Sequence, residues 1–368
     1  MRILQVLTHY SSDGSYGGPA SVAFAQTEQL VRDGHSVTLL VGSPKGNIAP
    51  KISGARVLTV RTRHFAPIGY ASNFSPTMSI RVCHLSRHAD VVHVHSGRDL
   101  AGFTSALFST VPAVLQTHGM IAEEKGLIKR LFDRLYTLPI LRKYRMILTL
   151  SEREATCLPP LQKAVAVRQL HNGGPTPSLK ASFSEPPTVI YLSRMAERKH
   201  PERYLSIADL GKTEKPSWEF QMYGPLEEAT RPLKKALLES SAVEYLGAAS
   251  RDAVPGILAR SHVMILPSER EVYPMSVIES LLSGVPVVTT SSNDLATSLG
   301  ESPGLQVSDG TVSDLWSRTK NLLSSRESWE RGHKDALALA DQHFRIESVT
   351  ARLNSYYDEI CSPPRQSG

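Results

Sequence analysis

Ten apolar runs of four to six residues punctuate the chain, with helical patterns in the longer gaps between them. Runs this short and continuous suit strands buried on both faces, and parallel strands require a crossover, usually a helix, between neighbours. Residues 2–41 show the unit in full. RILQVL (2–7) leads into the glycine loop SSDGSYGGPAS, then an amphipathic stretch over 22–32 closed by Gly34, then SVTLLV (36–41). This is a βαβ unit with a right-handed crossover, Gly34 ending its helix. The rhythm continues with strands expected at DVVHVH (90–95), AVLQ (113–116) and MILTL (146–150). It pauses at 172–187, where four prolines and two glycines in NGGPTPSLKASFSEPP mark a linker. It resumes with TVIYL (188–192), EFQMY (219–223), VEYL (243–246), VMIL (263–266) and PVVT (286–289). The fold class expected is α/β, with two Rossmann-like doubly wound domains facing across a cleft. Residues 1–178 form the first, 186–345 the second, and a helix near 346–368 closes the chain on the first.

A length of 368 residues agrees with two domains. Charge is divided between them. Lys and Arg outnumber Asp and Glu 21 to 10 over residues 1–180 and are outnumbered 20 to 25 thereafter, so the first half is expected to face something anionic. Cys83, Cys157 and Cys361 are far apart, which argues against a disulfide scaffold or a zinc site and suits a reducing compartment. No apolar stretch approaches the roughly 20 residues of a membrane span, and MRILQVL is too short for a signal peptide. A cytoplasmic location, with at most peripheral membrane contact, is the expectation.

Two segments carry the chemistry. In PSEREVYPMSVIESLLSGVPVV, Glu271 precedes a helix expected at 275–282 and Glu279 lies on it. Free amides at a helix N-terminus favour anions, and carboxylates there accept from vicinal hydroxyls such as those of sugars and riboses. In TVIYLSRMAERKHPERYLSIADL, Arg194 and Lys199 follow a strand end. Arg recognises phosphate through its planar fork and Lys acts as a point charge, so the pair suits a diphosphate. On spacing alone both segments also read as ordinary charged surface, and Arg198 beside Lys199 reads that way too.

The first segment resembles the E-x7-E signature of retaining GT-B glycosyltransferases of the family-four group, usually written P-S-x-x-E-G-F-G-x-x-x-x-E-A-x-A-x-G-x-P-V-V. The matching residues are Pro267, Ser268, Glu271, Tyr273, Glu279, Gly284, Pro286, Val287 and Val288, while Val272 and Pro274 replace glycines. The second resembles that family's G-R-L-x-x-x-K-G, with Ser193 and His200 at its two glycine positions. The resemblance implies a GT-B fold and transfer of a sugar, with retention, from a UDP- or GDP-sugar to a sugar or lipid-linked acceptor. It implies that Glu279 holds the ribose hydroxyls, that Glu271 meets the transferred sugar with the amides of Met275 and Ser276, and that Arg194 and Lys199 stabilise the leaving diphosphate. Val277 and Gly224 complete the implied donor set. No cofactor is expected beyond the nucleotide sugar, and with no Asp-x-Asp motif no metal is expected.

Gly17 and Gly18, between the first strand and its helix, match the family's Gly-Gly loop near the donor phosphates and do not fit the G-x-G-x-x-G of dinucleotide enzymes. His118, in VPAVLQTHGM, follows a buried strand and resembles the family histidine near the transferred sugar. It is the fourth catalytic candidate, beside Glu271, Arg194 and Lys199. His95 is a second acceptor-side candidate, while His93, on the same strand face, reads as core. Residues 124–145 mix Leu, Ile, Phe and Tyr with seven Lys and Arg, which suits either an anionic membrane surface or a helix packed on the sheet. No nucleic-acid partner is expected. Competing readings are a nucleotide-sugar epimerase or hydrolase of the same fold, a dinucleotide oxidoreductase, and a catalytically silent scaffold.

Overall fold

The structure is a computed structural model that describes residues 1–11, 17–44, 46, 49–64, 73–121, 134, 137–158, 165–227, 230 and 233–362. The chain divides into two compact units, one formed by residues 1–12, 16–173 and 346–368 and the other by 13–15 and 174–345. Among the described residues no helix is long and apolar enough to cross a membrane.

The first unit is built on seven parallel strands: β1 (Arg2–Leu7), β2 (Ser36–Ser43), β3 (Arg56–Arg61), β6 (Val91–His95), β7 (Ala113–Gln116), β8 (Met146–Thr149) and β9 (Ala166–Gln169). A two-residue antiparallel pair, β4 (Arg63–His64) and β5 (Asn73–Phe74), stands apart. The order across the sheet is β3-β2-β1-β6-β7-β8-β9, so the winding reverses between β1 and β6. Alternation along the strands feeds two cores. Leu4, Val6, Val92 and Val94 pack with Met78 and Val82 of helix Pro76–Ser86 and Phe103 of helix Leu100–Phe108. On the opposite face Ile3, Val91 and Val114 pack with Leu30 of helix Gly17–Arg32 and with Val349, Leu353 and Tyr357 of the closing helix Ile346–Cys361. Removing these side chains from water is the dominant stabilisation of such a unit.

The second unit has six parallel strands: β10 (Thr188–Leu192), β11 (Glu219–Tyr223), β12 (Glu244–Tyr245), β13 (Val263–Leu266), β14 (Val287–Thr290) and β15 (Leu305–Ser308). Their order is β12-β11-β10-β13-β14-β15, and the winding reverses between β10 and β13. Both units are thus doubly wound, as the repeated strand–helix rhythm predicts. Strands β3, β9 and β15 were not anticipated. All three are sheet edges and half-exposed, so they lack the continuous apolar run of a central strand. The stretch read as a linker is bonded into the second unit from Gly174 onward. Gly174 donates to the Phe344 carbonyl at 3.0 Å, Ala181 to that of Ser283 at 2.8 Å, and the Thr188 amide to Nδ1 of His262 at 2.9 Å, whose Nε2 stands 3.2 Å from the Ser184 hydroxyl.

Candidate functional site

In a doubly wound sheet, the strand ends on either side of the reversal diverge and leave a crevice. In the second unit these are the carboxyl ends of β10 and β13, and they carry Arg194 with Lys199 and Glu271 respectively. That topology brings residues some seventy positions apart into contact. Glu271, 5% exposed, receives the Lys199 ammonium at 2.8 Å and the Arg198 guanidinium at 2.6 Å, both on Oε1. No described group donates to its Oε2. Glu271 is pinned by its own backbone too, its carbonyl accepting from the Asp294 amide at 2.8 Å. Lys199 is buried at 6% exposure, and that burial lowers its pKa against the opposing pull of Glu271. Sequence reasoning passed over Arg198, because nothing in ERK distinguishes a cation aimed at a buried carboxylate from a solvated one.

The loop carrying these cations has a demanding backbone. His200 follows the short 3-10 turn Glu197–Lys199 with φ 48° and ψ 53°, a left-handed conformation disfavoured by roughly 1–2 kcal/mol for a residue with a Cβ. That is why glycine suits the position in the resembled motif. Here the imidazole is held instead, Nδ1 at 2.7 Å from Glu202 and Nε2 at 3.3 Å from Glu269, which also takes Arg203 at 2.6 Å. Arg194 pairs with Glu227, and its carbonyl accepts the Tyr191 hydroxyl at 3.1 Å.

Gly224, at φ 142°, packs its α-carbon against the same loop. A Cβ there would stand 1.8 Å from the Ser193 carbonyl oxygen, and its amide already donates to the Gly247 carbonyl at 2.7 Å. Gly224 therefore shapes the crevice by letting two strand ends approach. Gly224→Ala is expected to destabilise the chain by about 3 kcal/mol or more, seen as a lowered urea midpoint with unchanged slope.

Helix Met275–Leu282 begins at Pro274, whose carbonyl accepts from the amides of Val277 at 3.2 Å and Ile278 at 3.3 Å. The amides of Met275 and Ser276 have no described acceptor, so they are the donors this helix N-terminus presents. The Val277 amide is used internally and its side chain is fully buried, which leaves it a packing role. Glu279 is half-buried, and its carboxylate has no hydrogen-bond partner among the described residues. Burial raises its pKa to about 7, with Arg251 opposing. A carboxylate kept poorly solvated and unpaired suits a ligand that brings hydroxyl donors.

In the first unit the carboxyl end of the sheet is lined by histidine. His118 lies just beyond β7 with φ 53°, and its Nε2 stands 3.1 Å from Nδ1 of His95. His93, His95 and His118 form a stack, with ring centroids 4.3 and 5.3 Å apart, and Nδ1 of His93 meets the Tyr357 hydroxyl at 2.6 Å. Burial holds the pKa of His93 and of His118 down to about 3, and that of His95 well below its ordinary value. All three are uncharged near neutral pH, so His118 offers a hydrogen-bonding ring and not a cation. His95 is only 1% exposed. It stands against the ring of His118 and supports it. Gly17 opens the first helix, and Gly18 is exposed with no described atom within 4 Å of where a Cβ would stand. The chain's own packing thus makes no demand for glycine at Gly18.

Most of residues 124–145 lies outside the described residues. At the described end Ile140, Leu141 and Tyr144 are buried while Arg142, Lys143 and Arg145 point outward, and the Tyr144 hydroxyl donates to the Gly102 carbonyl at 2.7 Å. That end is a packed amphipathic element. Among the described residues no group of three or more His, Cys, Asp or Glu is arranged to hold a metal ion.

Residues 16–173 match the model of Glycosyltransferase Family 4, and residues 178–336 match that of Glycosyl transferases group 1. A sulfoquinovosyl transferase of Arabidopsis thaliana is 28% identical over 185 residues, 49% of this chain and 35% of that protein. The N,N'-diacetylbacillosaminyl-diphospho-undecaprenol alpha-1,3-N-acetylgalactosaminyltransferase of Campylobacter jejuni is 26% identical over 180 residues, 48% of this chain and 43% of that protein. The chain therefore spans less than half the length of these curated relatives. Among solved structures, Anabaena Alr3699/HepE in complex with UDP and glucose superposes with a TM-score of 0.73 at 15% identity, covering 98% of this chain and 100% of that one. That likeness concerns the fold.

Proposed function

This chain belongs to the GT-B glycosyltransferases, its halves matching Glycosyltransferase Family 4 and Glycosyl transferases group 1, and from that premise we propose a specific reaction. The protein moves a sugar from a nucleoside diphosphate sugar to a sugar or lipid-linked acceptor, with retention at the anomeric carbon and without a metal. Three observations carry this reading together: the buried Lys199–Glu271 pair, the unpaired and poorly solvated Glu279 on helix Met275–Leu282, and the two free amides at that helix's N-terminus.

Each part has a task. Glu279 accepts the two ribose hydroxyls, and Glu271, through Oε2, accepts hydroxyls of the transferred sugar. Lys199 has three donors and commits one to Glu271, so it reaches a phosphate without releasing its partner. As the bond from the anomeric carbon to the diphosphate oxygen breaks, negative charge grows on the leaving oxygens. Arg194 and Lys199 meet that charge where water is excluded. The acceptor hydroxyl then attacks the face just vacated, its proton passing to the leaving phosphate. His118 serves the acceptor end as a neutral hydrogen-bonding ring.

Thermal unfolding with UDP, GDP and a panel of their sugars is the first test. At a concentration of about 100 Kd a ligand of the native state adds ~2.7 kcal/mol, a rise of several degrees for a chain of this size. UDP is the first probe, since the Anabaena structure holds it. A stabilising nucleotide sugar that is consumed only when acceptor is added is the expected result. Consumption without acceptor points to a hydrolase or epimerase, and no response to any nucleotide sugar removes the proposal.

A further inference from the structure

We propose that Glu154 is a positioning residue for His118, acting through the backbone turn on which the histidine stands. Glu154 is 5% exposed and lies in helix Glu152–Thr156, whose N-cap Ser151 accepts from the Glu154 amide at 3.0 Å. Its carboxylate does not turn outward as a glutamate in a first helical turn normally would. One oxygen, Oε1, takes both the Thr117 hydroxyl and the Gly119 amide, the latter at 2.7 Å; Oε2 takes the Leu150 amide at 2.7 Å. A single buried carboxylate therefore joins the end of β8 to both residues flanking His118.

The turn it holds needs holding. His118 has φ 53° and Gly119 φ 75°, two successive left-handed residues of which only one is glycine. A non-glycine residue in that region is strained by about 1–3 kcal/mol and persists where the surroundings over-determine it. Thr117 adds a second tie, its amide donating to the Leu148 carbonyl at 3.1 Å. The ring of His118 is fixed separately, by its contact with His95. Glu154 thus sets where the backbone places the imidazole, and His95 sets how the ring is turned. The Thr117 hydroxyl and the amides of Gly119 and Leu150 are all donors, so an ionised glutamate is matched to them and an amide is not.

The inference rests on the proposed role of His118 in transfer, and its test separates the two. Glu154→Gln keeps the size of the side chain but turns an NH2 group toward a donor. It is expected to lower kcat about 10–100-fold with donor KM changed less than twofold, a loss typical of a misplaced contributing group. In a His118→Ala background the same substitution is expected to lower kcat no further. A full additional loss in that background overturns the proposal.

The imidazole 15N resonances of His118 give a reading that needs no turnover. They are expected to move in Glu154→Gln while those of the exposed His84 and His88 stay; unmoved His118 resonances in folded protein also overturn it. Thr117→Val, which removes one tie and keeps the shape, gives the same readouts if Glu154→Gln does not fold. A wild-type protein that turns over no nucleotide sugar would instead remove the reading of function, leaving the resonance test standing.

Discussion

Lys199→Ala is expected to reduce donor turnover by about 10²–10³-fold, the loss seen when one preorganised donor to a developing oxyanion is removed. Lys199 is the buried cation of the crevice, while Arg198, the other partner of Glu271, keeps 45% of its side chain in solvent. Solvent weakens what Arg198 contributes to a developing charge, so it does not replace the lysine. It does still partner Glu271. The variant is therefore expected to lose about 1–3 kcal/mol of stability, less than the 3–5 kcal/mol typical of leaving a buried charge alone. Single-turnover rates with saturating donor and acceptor, alongside urea unfolding, separate the two effects. Wild-type turnover in a folded Lys199→Ala protein would sink the role of the basic loop.

Glu279→Gln is expected to stabilise the protein above neutral pH while weakening its hold on nucleotide. The folded carboxyl titrates at about 7 against an ordinary 4.5, because it is poorly solvated and unpaired. Between those values the folded chain binds more protons than the unfolded one, so its stability falls as pH rises and the whole penalty is present above about pH 7. With allowance for its partial exposure, the penalty is about 1–3 kcal/mol. Glutamine removes it. The variant should match the wild type near pH 4 and exceed it at pH 8 in urea unfolding.

Nucleotide affinity is expected to move the other way in the wild type, rising from pH 6 to pH 8 as the carboxylate ionises and accepts two ribose hydroxyls. In Glu279→Gln that rise should disappear and affinity stay low. An equal loss of stability at both pH values would show instead that Glu279 is a structural partner. This trade of stability for binding is what a site kept ready for a ligand is expected to show.

Glu271, Glu279, Arg194 and Lys199 were legible as candidates because each belongs to a local pattern whose parts lie within some twenty residues. Arg198 was not legible, since one of three consecutive charged residues carries no mark of the direction it points. Glu154 was equally silent. Its S-x-x-E spacing reads as a helix start, and only the meeting of β7 with β8 turns its carboxylate toward residues 117 and 119. Strands β3, β9 and β15 escaped for a related reason, because partial exposure removes the apolar continuity that reveals a buried strand.

The sequence by itself determined the two α/β units, since strand length, helix period and turn residues act between near neighbours. It also marked out the charged residues that are candidates for a phosphate or hydroxyl ligand. Tertiary structure alone decided which cation reaches which carboxylate, that His95 is buried against the ring of His118, and that Glu279 has no hydrogen-bond partner among the described residues. Those outcomes depend on strand order and burial, and both arise from contacts between segments far apart in the chain.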